Sequence, residues 1–497
     1  MSFKKDDSFC VPLWINGTTL RPEDSPTYDV TTPPSQSLTW KACAATPTTI
    51  NEAIQSASQA FTSWSKTPLS ERLSILSKAA DILELKGDEV QYYFEKEISG
   101  TEAWSSFNLN FCVGSLRSIG DVLGDTLRPE VIKGKDGMKG TIARVPHGVV
   151  GAVSTWNAPL ILGLRACLTP IAAGNTVVML AAPLAPMTHY FIGLILHAAG
   201  LPAGVLNVLP APPAPNDAAE VVEALLKHPR IRCLNFTGST TVGRKVHEVA
   251  GRYGKPVIME LGGKCVALAL KNADTDKLAQ ELVVGAYLNS GQICMSTELA
   301  LIPSRLVPTL IEKLISTIPK ILPHPRLPII THHSKQKVLK LITDAVQRGA
   351  IIHSASISSD DQYSQLDFLK ELAEDTNSSL PPLFLTKVTQ EMEIYNTESF
   401  GPVFCILEYE DDNVDQAVKM ANDLEVGLSV SIFSADEDEA MNIAGEIDSG
   451  AVHINHMTVY DNPAFPHGGV KASGFGRFGG KWGIEEFTYI KTITAAI

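Results

Sequence analysis

A doubly wound α/β architecture in two domains is what this sequence predicts, on three observations. From about residue 145, short apolar runs alternate with helical stretches. The runs are apolar on both faces, as strands covered by helices on two sides must be. The same alternation restarts after about residue 257, and a chain of 497 residues exceeds the size at which a single core stops growing.

The elements follow in order. Ala53, Ile54, Ala57, Ala60 and Phe61 recur at helical spacing, as do Leu73, Leu76, Ala80 and Leu83, so residues 50–100 read as helices. Val131 to Arg144, with Gly134, Gly137 and Gly140, reads as a β-hairpin interrupting the first domain. Residues 149–153, 176–180, 205–209 and 231–236 are candidate parallel strands, and a sheet of this kind receives ligands at the carboxyl ends of its strands. Residues 353–364 and 375–382 are polar and rich in Ser, Asp and Asn, which predicts exposed loops.

Composition excludes several classes. With 41 basic and 54 acidic residues the chain carries −13, the wrong sign for a general nucleic-acid or anionic-membrane binder. The most apolar region, 176–209, is broken by Pro183, Pro186, His189, His197 and Pro202, too often for a membrane helix of about 20 apolar residues. The first residues lack the apolar run of a secretory signal. Eight cysteines (Cys10, Cys43, Cys112, Cys167, Cys233, Cys265, Cys294 and Cys405) are scattered without a CxxC pair. Neither a disulfide framework nor a metal site is expected, and a cytoplasmic location fits.

Chemistry concentrates in a few segments. Cys294 ends Asn289-Ser290-Gly291-Gln292-Ile293-Cys294. A cysteine is commonly a small core hydrophobe, but Gly291 permits close backbone approach and Asn289 and Gln292 are polar. A thiol with an ordinary pKa of about 8.5 needs a base or aligned amides to attack at neutral pH. Glu260, ending the apolar run 256–259, is the candidate base, though alone it would read as a solvated strand end. Asn157, after the first strand, has an amide able to donate to an oxyanion or simply to form a turn before Pro159. Gly238 and Ser239 pass from strand to helix, which suits a pyrophosphate or a plain N-cap. Gly474-Phe475-Gly476-Arg477-Phe478-Gly479 matches GxGxxG, yet no strand precedes it and no βαβ unit can follow. It is expected to be a flexible loop near the site mouth.

Five segments in order resemble the aldehyde dehydrogenase family: Trp156-Asn157, Phe236-Thr237-Gly238-Ser239, Glu260-Leu261-Gly262-Gly263-Lys264, Gly291-Gln292-Ile293-Cys294 and Glu398-Ser399-Phe400-Gly401-Pro402. The likeness runs from about Asn16 to Lys491. Gln292 to Glu298 further resembles members acting on salicylaldehyde, vanillin and related aromatic aldehydes. The resemblance implies two Rossmann-like α/β domains, one for the dinucleotide (8–124 and 146–256) and one catalytic (257–464), with an oligomerisation element at 125–145 and 483–497. It implies a homodimer or homotetramer acting on a small aldehyde, with no nucleic acid or membrane partner. Cys294 would attack the aldehyde, with the Asn157 amide and the Cys294 N–H holding the oxyanion, and Glu260 would activate the water that hydrolyses the thioester. Trp156, Gly238, Ser239, Leu261, Glu398 and Phe400 would hold NAD or NADP.

Three positions depart from the pattern, the smallest departure being Tyr489, where many relatives place a glutamate that pairs with the lysine matching Lys264. Family members usually carry a lysine and then a glutamate that bind the adenosine ribose hydroxyls; here Leu180 and Pro183 stand in those places. Losing two charge-assisted hydrogen bonds of about 1.5–3 kcal/mol each weakens binding about a hundredfold or more. A dehydrogenase with poorer adenosine recognition, or a non-redox thiol enzyme on the same scaffold, are the readings left open. For the substrate end, the helical region 104–116 supplies Phe107 and Phe111 on one face, and Met295, Tyr460 and Phe465 are further candidates. Such groups favour a flat or bulky apolar aldehyde. His147, His189, His197 and His247 fall on no motif and are expected to be structural.

Overall fold

Two sheets organise the chain in the computed structural model, which describes residues 9–22, 25–322, 324–354 and 362–496. The first has eight strands among the described residues. Its five central strands run parallel in the order Val257–Leu261, Ile231–Gly238, Val149–Val153, Thr176–Ala181 and Leu206–Pro210. Antiparallel strands close both edges: Gly474–Phe475 beside Val257–Leu261, and Leu13–Ile15 with Thr18–Leu20 beside Leu206–Pro210.

The central runs are strands because neither face meets water. Every residue of Thr176–Ala181 and of Leu206–Pro210 is buried. The helices Pro159–Ala172 and Pro186–Ala198 are apolar nearly all round and start on prolines, whose missing N–H is harmless in a first turn. Full burial of a Val, Leu or Met side chain contributes about 1.5–3 kcal/mol, so this layer supplies much of the driving force. His189 is inside it, its Nδ1 accepting from the Ala182 N–H at 3.2 Å; burial drops its pKa to about 3, so the ring is neutral.

The second sheet runs Ile351–His353, Leu383–Thr386, Val403–Tyr409, Thr297–Pro303, Cys265–Ala269, Ser429–Phe433 and Ala451–Ile454. All neighbours are parallel except the first pair. A third, antiparallel sheet joins Glu130–Lys133 and Met138–Pro146 to the C-terminal strand Thr488–Ala496. Its exposed Val131, Ile132, Ile490 and Ile493 leave an apolar surface.

One loop expectation is corrected. Within 375–382, Ser378, Ser379 and Leu380 are buried, and Ser379–Leu380 pairs with Leu327–Pro328. Polar composition misleads here because the buried Lys335 Nζ reaches in to donate to the carbonyls of Asp375 and Asn377 at 2.7 and 2.8 Å. Of the other polar stretch, 355–361 lies outside the described residues, and a helix follows over Gln362–Glu374. No described helix is long and apolar enough to cross a membrane.

In the first sheet the strand order reverses between Val149–Val153 and Ile231–Gly238, which are adjacent in space but not in sequence. A crevice opens at the carboxyl ends on such a reversal.

Candidate active site

The crevice collects the sequence motifs. Ser154 to Asn157 leave one strand at the reversal, Gly238 and Ser239 leave the other, and Glu260 lies near the end of the next. Only Gly262, Gly263 and Lys264 then separate the first sheet from the second, where Cys265–Ala269 begins. Glycine is required in this link: a Cβ on Gly263 would stand 2.8 Å from the Cys294 carbonyl, and one on Gly262 would stand 2.6 Å from Glu398 Oε2.

Cys294 is presented by a contorted loop. Asn289, Ser290 and Gly291 all take left-handed backbone conformations, with φ of 48°, 62° and 71°. A Cβ on Gly291 would meet the Gly401 carbonyl at 2.2 Å. Non-glycine residues in this region cost about 1–3 kcal/mol each, and named hydrogen bonds offset the strain. Asn289 Nδ2 donates to the Asn157 carbonyl at 2.9 Å, the Ile330 N–H donates to Gln292 Oε1 at 2.9 Å, and Thr458 Oγ1 donates to the Met295 carbonyl at 2.7 Å. The first of these ties the thiol loop directly to the Asn157 loop.

Glu260 is fully buried. Its Oε2 accepts from Arg165 Nη2 at 2.7 Å, and its Oε1 has no protein partner among the described residues. Burial pushes the Cys294 thiol well above its ordinary range; the negative charge of the nearby Glu260 carboxylate adds to the rise, and Arg165 opposes it. The resting thiol is therefore protonated at neutral pH. Because the shift is upward, thiolate accumulates only above the usual titration. Alkylation of Cys294 by iodoacetamide, followed by peptide mass spectrometry, is expected to keep accelerating above the ordinary value of about 8.5. A plateau near that value would contradict this environment.

Asn157 is buried, with its Oδ1 accepting from Thr155 Oγ1 at 2.7 Å. That leaves the amide nitrogen as the free end, and the Asn157 carbonyl is fixed by Trp104 Nε1 at 3.1 Å.

Glu398 and Phe400 are held by a buried ion pair that the motifs did not reveal. Lys264 Nζ donates to Glu298 Oε2 and, at 2.9 Å, to the Thr397 carbonyl. Glu298 Oε1 in turn accepts from the Ser399 and Phe400 N–H groups at 2.9 and 3.1 Å. Glu398 Oε1 accepts from the Gly263 N–H at 3.1 Å, and burial, with Glu298 nearby, lifts its pKa to about 8. Phe400 meets Trp156 edge-on, ring centroids 5.8 Å apart.

A nucleotide fits this end of the crevice: a carboxylate over two glycines, two aromatic rings, and Ser239 capping the helix Thr240–Arg252. Gly238 has the Phe236 ring 2.7 Å from where its Cβ would be. Leu261 donates its N–H to the Ser473 carbonyl at 2.9 Å and turns its side chain toward Gly243. At the far end Leu180 is buried in its strand and, like Pro183, has no polar side-chain atom to offer a ribose. No group of three or more His, Cys, Asp and Glu side chains among the described residues could hold a metal ion.

The GxGxxG segment is not the flexible loop its glycines suggest. Gly474–Phe475 is an edge strand, Gly474 pairing with Glu260 and Phe475 with Met259. Gly474, at φ 115°, admits no side chain because the Met259 carbonyl lies 2.1 Å from its Cβ position.

Arg165 was also missed. It is the single charge in the buried helix Pro159–Ala172, and a lone cation in an apolar helix was the available signal. Its guanidinium stacks on Phe478 at 4.6 Å, and Nη1 faces Asp461 Oδ2 at 3.8 Å. Arg165 and Asp461 form one end of a cavity of about 90 Å³, several times what one water needs. Its other walls are mainly apolar, among them Phe111, Ile161, Leu164 and Phe478, and His467 completes the polar end. Cys294, Glu260 and Asn157 are not among its lining residues; Phe111 is, of the five residues expected at the substrate end. Phe107 is exposed and stacked on Trp104, Tyr460 packs against His453 and His456, Phe465 is exposed, and Met295 is buried beside the thiol. Helical spacing places residues on one face without saying which way that face points.

Comparison with known proteins agrees with this architecture. A family model described as aldehyde dehydrogenase family matches residues 20–493. Vanillin dehydrogenase of Pseudomonas sp. strain HR199 is 38% identical over 502 residues, covering 98% of each chain. The crystal structure of a salicylaldehyde dehydrogenase from Pseudomonas putida G7, complexed with salicylaldehyde, superposes with a TM-score of 0.89 at 29% identity, covering 98% of each chain. An NADP-dependent glyceraldehyde-3-phosphate dehydrogenase from Bacillus halodurans C-125, complexed with NADP, gives a TM-score of 0.89 at 27% identity over 98% of this chain and 100% of that one.

Proposed function

The chain belongs to the aldehyde dehydrogenase family, and from that membership we propose that it oxidises an aromatic aldehyde to the carboxylic acid, with NAD or NADP accepting the hydride. The observation that carries this reading is the knot at the crevice: the Cys294 thiol within reach of Glu260, and its loop hydrogen-bonded to Asn157. Cys294 Sγ attacks the formyl carbon and its proton passes to Glu260. The Asn157 amide and the Cys294 N–H receive the oxyanion. A nicotinamide, when bound, supplies the hydride acceptor. Glu260, its first proton released to solvent, then takes one from the water that attacks the thioester; the C–S bond breaks, freeing the Cys294 sulfur, and the acid leaves.

The relatives named for vanillin and salicylaldehyde support an aromatic substrate. The NADP-bound relative supports a dinucleotide, with Glu398, Phe400, Trp156 and Ser239 doing most of the holding. The non-redox alternative has no relative in its favour. Exposed Val131, Ile132, Ile490 and Ile493, spread over both faces of the sheet formed by Glu130–Lys133, Met138–Pro146 and Thr488–Ala496, support its use in a homo-oligomer, and eight free thiols suit the cytoplasm.

Purified protein is expected to reduce NAD or NADP, followed by absorbance, when given benzaldehyde, vanillin or salicylaldehyde. No reduction of either nucleotide with any of them, in protein whose Cys294 still alkylates, would overturn the reading.

A further inference from the structure

We propose that Asp461 is a specificity residue, accepting a hydrogen bond from a hydroxyl on the substrate ring, on the side facing away from the formyl group. This rests on the aldehyde oxidation proposed above and assigns that site a narrower substrate class, the phenolic aldehydes.

The argument begins with an unused acceptor. The Asp461 side chain is only 13% exposed and lines the cavity, yet no donor among the described residues bonds it. Arg165 Nη1 stands 3.8 Å from one carboxylate oxygen and His467 Nδ1 stands 3.9 Å from the other. Both separations favour the charge but are too long for a direct hydrogen bond. His467 is equally short of partners, its buried Nε2 bonding nothing among the described residues. A carboxylate in a mainly apolar cavity with its lone pairs unspent is costly unless a ligand or water donates to it.

Position follows from Arg165, which bonds Glu260 through Nη2 and faces Asp461 through Nη1. The acceptor is thus one guanidinium beyond the general base. Phe111, Ile161 and Leu164 give an aromatic ring a seat beside Asp461, with Arg165 standing between that seat and Glu260. A neutral hydroxyl donor suits the ring edge at Asp461. A carboxylate there would face two acidic groups, Asp461 and Glu260, sharing one arginine.

The test compares 4-hydroxybenzaldehyde with 4-methoxybenzaldehyde, which is similar in ring electronics but cannot donate, at a pH low enough to keep the phenol protonated. Sites built to bond a substrate hydroxyl reject analogues lacking it strongly, so wild-type kcat/KM is expected to favour the hydroxy aldehyde by about tenfold or more. Asp461→Leu is expected to bring the ratio close to one, and Asp461→Asn to lower it part of the way, which serves if the leucine variant fails to fold. General damage to Arg165 or the fold lowers both rates and leaves the ratio alone. A wild-type ratio near one, or a preference that survives both substitutions, overturns the assignment and leaves the oxidation reading standing. No turnover of either aldehyde by the wild type with either nucleotide overturns that reading, and this assignment with it.

Discussion

Cys294→Ala protein is expected to lose at least about four orders of magnitude in kcat, the scale seen when a covalent nucleophile is deleted, while still folding and still binding nucleotide. The sulfur is the only atom removed, and the loop around it is held by backbone and neighbouring side chains: Asn289 to Asn157, Gln292 to Ile330, Thr458 to Met295. None of those bonds uses the thiol. The thermal midpoint is therefore expected to move by only a few degrees, as for a small change at a half-buried position. Steady-state assay, thermal unfolding and calorimetric titration with NAD and NADP together decide the matter. Residual turnover within tenfold of wild type would mean that some other group attacks the aldehyde.

Glu260→Gln is the second large effect. General base catalysis contributes about 10²–10⁴, and steady-state turnover is expected to fall within that range. In rapid mixing, the initial burst of reduced nucleotide is expected to slow along with turnover, because Glu260 takes the thiol proton before attack as well as the water proton afterwards. A burst of wild-type rate approaching one per subunit would show that another group takes the thiol proton, while turnover within tenfold of wild type would remove Glu260 from the chemistry. A stability effect accompanies the kinetic one. Glutamine cannot balance the Arg165 guanidinium, and breaking a buried pair from one side costs about 3–5 kcal/mol. Asp461, 3.8 Å from the same guanidinium, offsets part of that.

How far the site could be read in advance depended on whether its signals were local. Cys294 and Glu260 stand out because glycines and polar residues flank them in an otherwise apolar context, and the parallel strands declare themselves by being apolar on both faces. The Lys264–Glu298 pair is different: its members come from separate segments, and nothing near either residue names the other. Arg165 was concealed by its surroundings, since a helix that reads as wholly buried invites the reader to pass over its one cation. Phe107, Tyr460 and Phe465 show the converse. Aromatic character suits a pocket but does not specify whether a side chain faces a cavity or solvent: Phe107 and Phe465 are exposed, and Tyr460 packs against two histidines. The use of the GxGxxG segment as an edge strand depends on a partner more than two hundred residues earlier.

That edge strand bears on how the molecule is made. Its two residues are the flank of the strand carrying Glu260, and the opposite margin of the same sheet is furnished by Leu13–Ile15 and Thr18–Leu20. During synthesis the margin made by residues 13–20 emerges more than four hundred residues before Gly474–Phe475 does. Pairings so distant in sequence are slow to form, and until this one forms the strand bearing the general base has an open side. A nascent or prematurely stopped chain would thus carry its thiol long before it carries a finished catalytic wall, and competence would arrive late and nearly all at once.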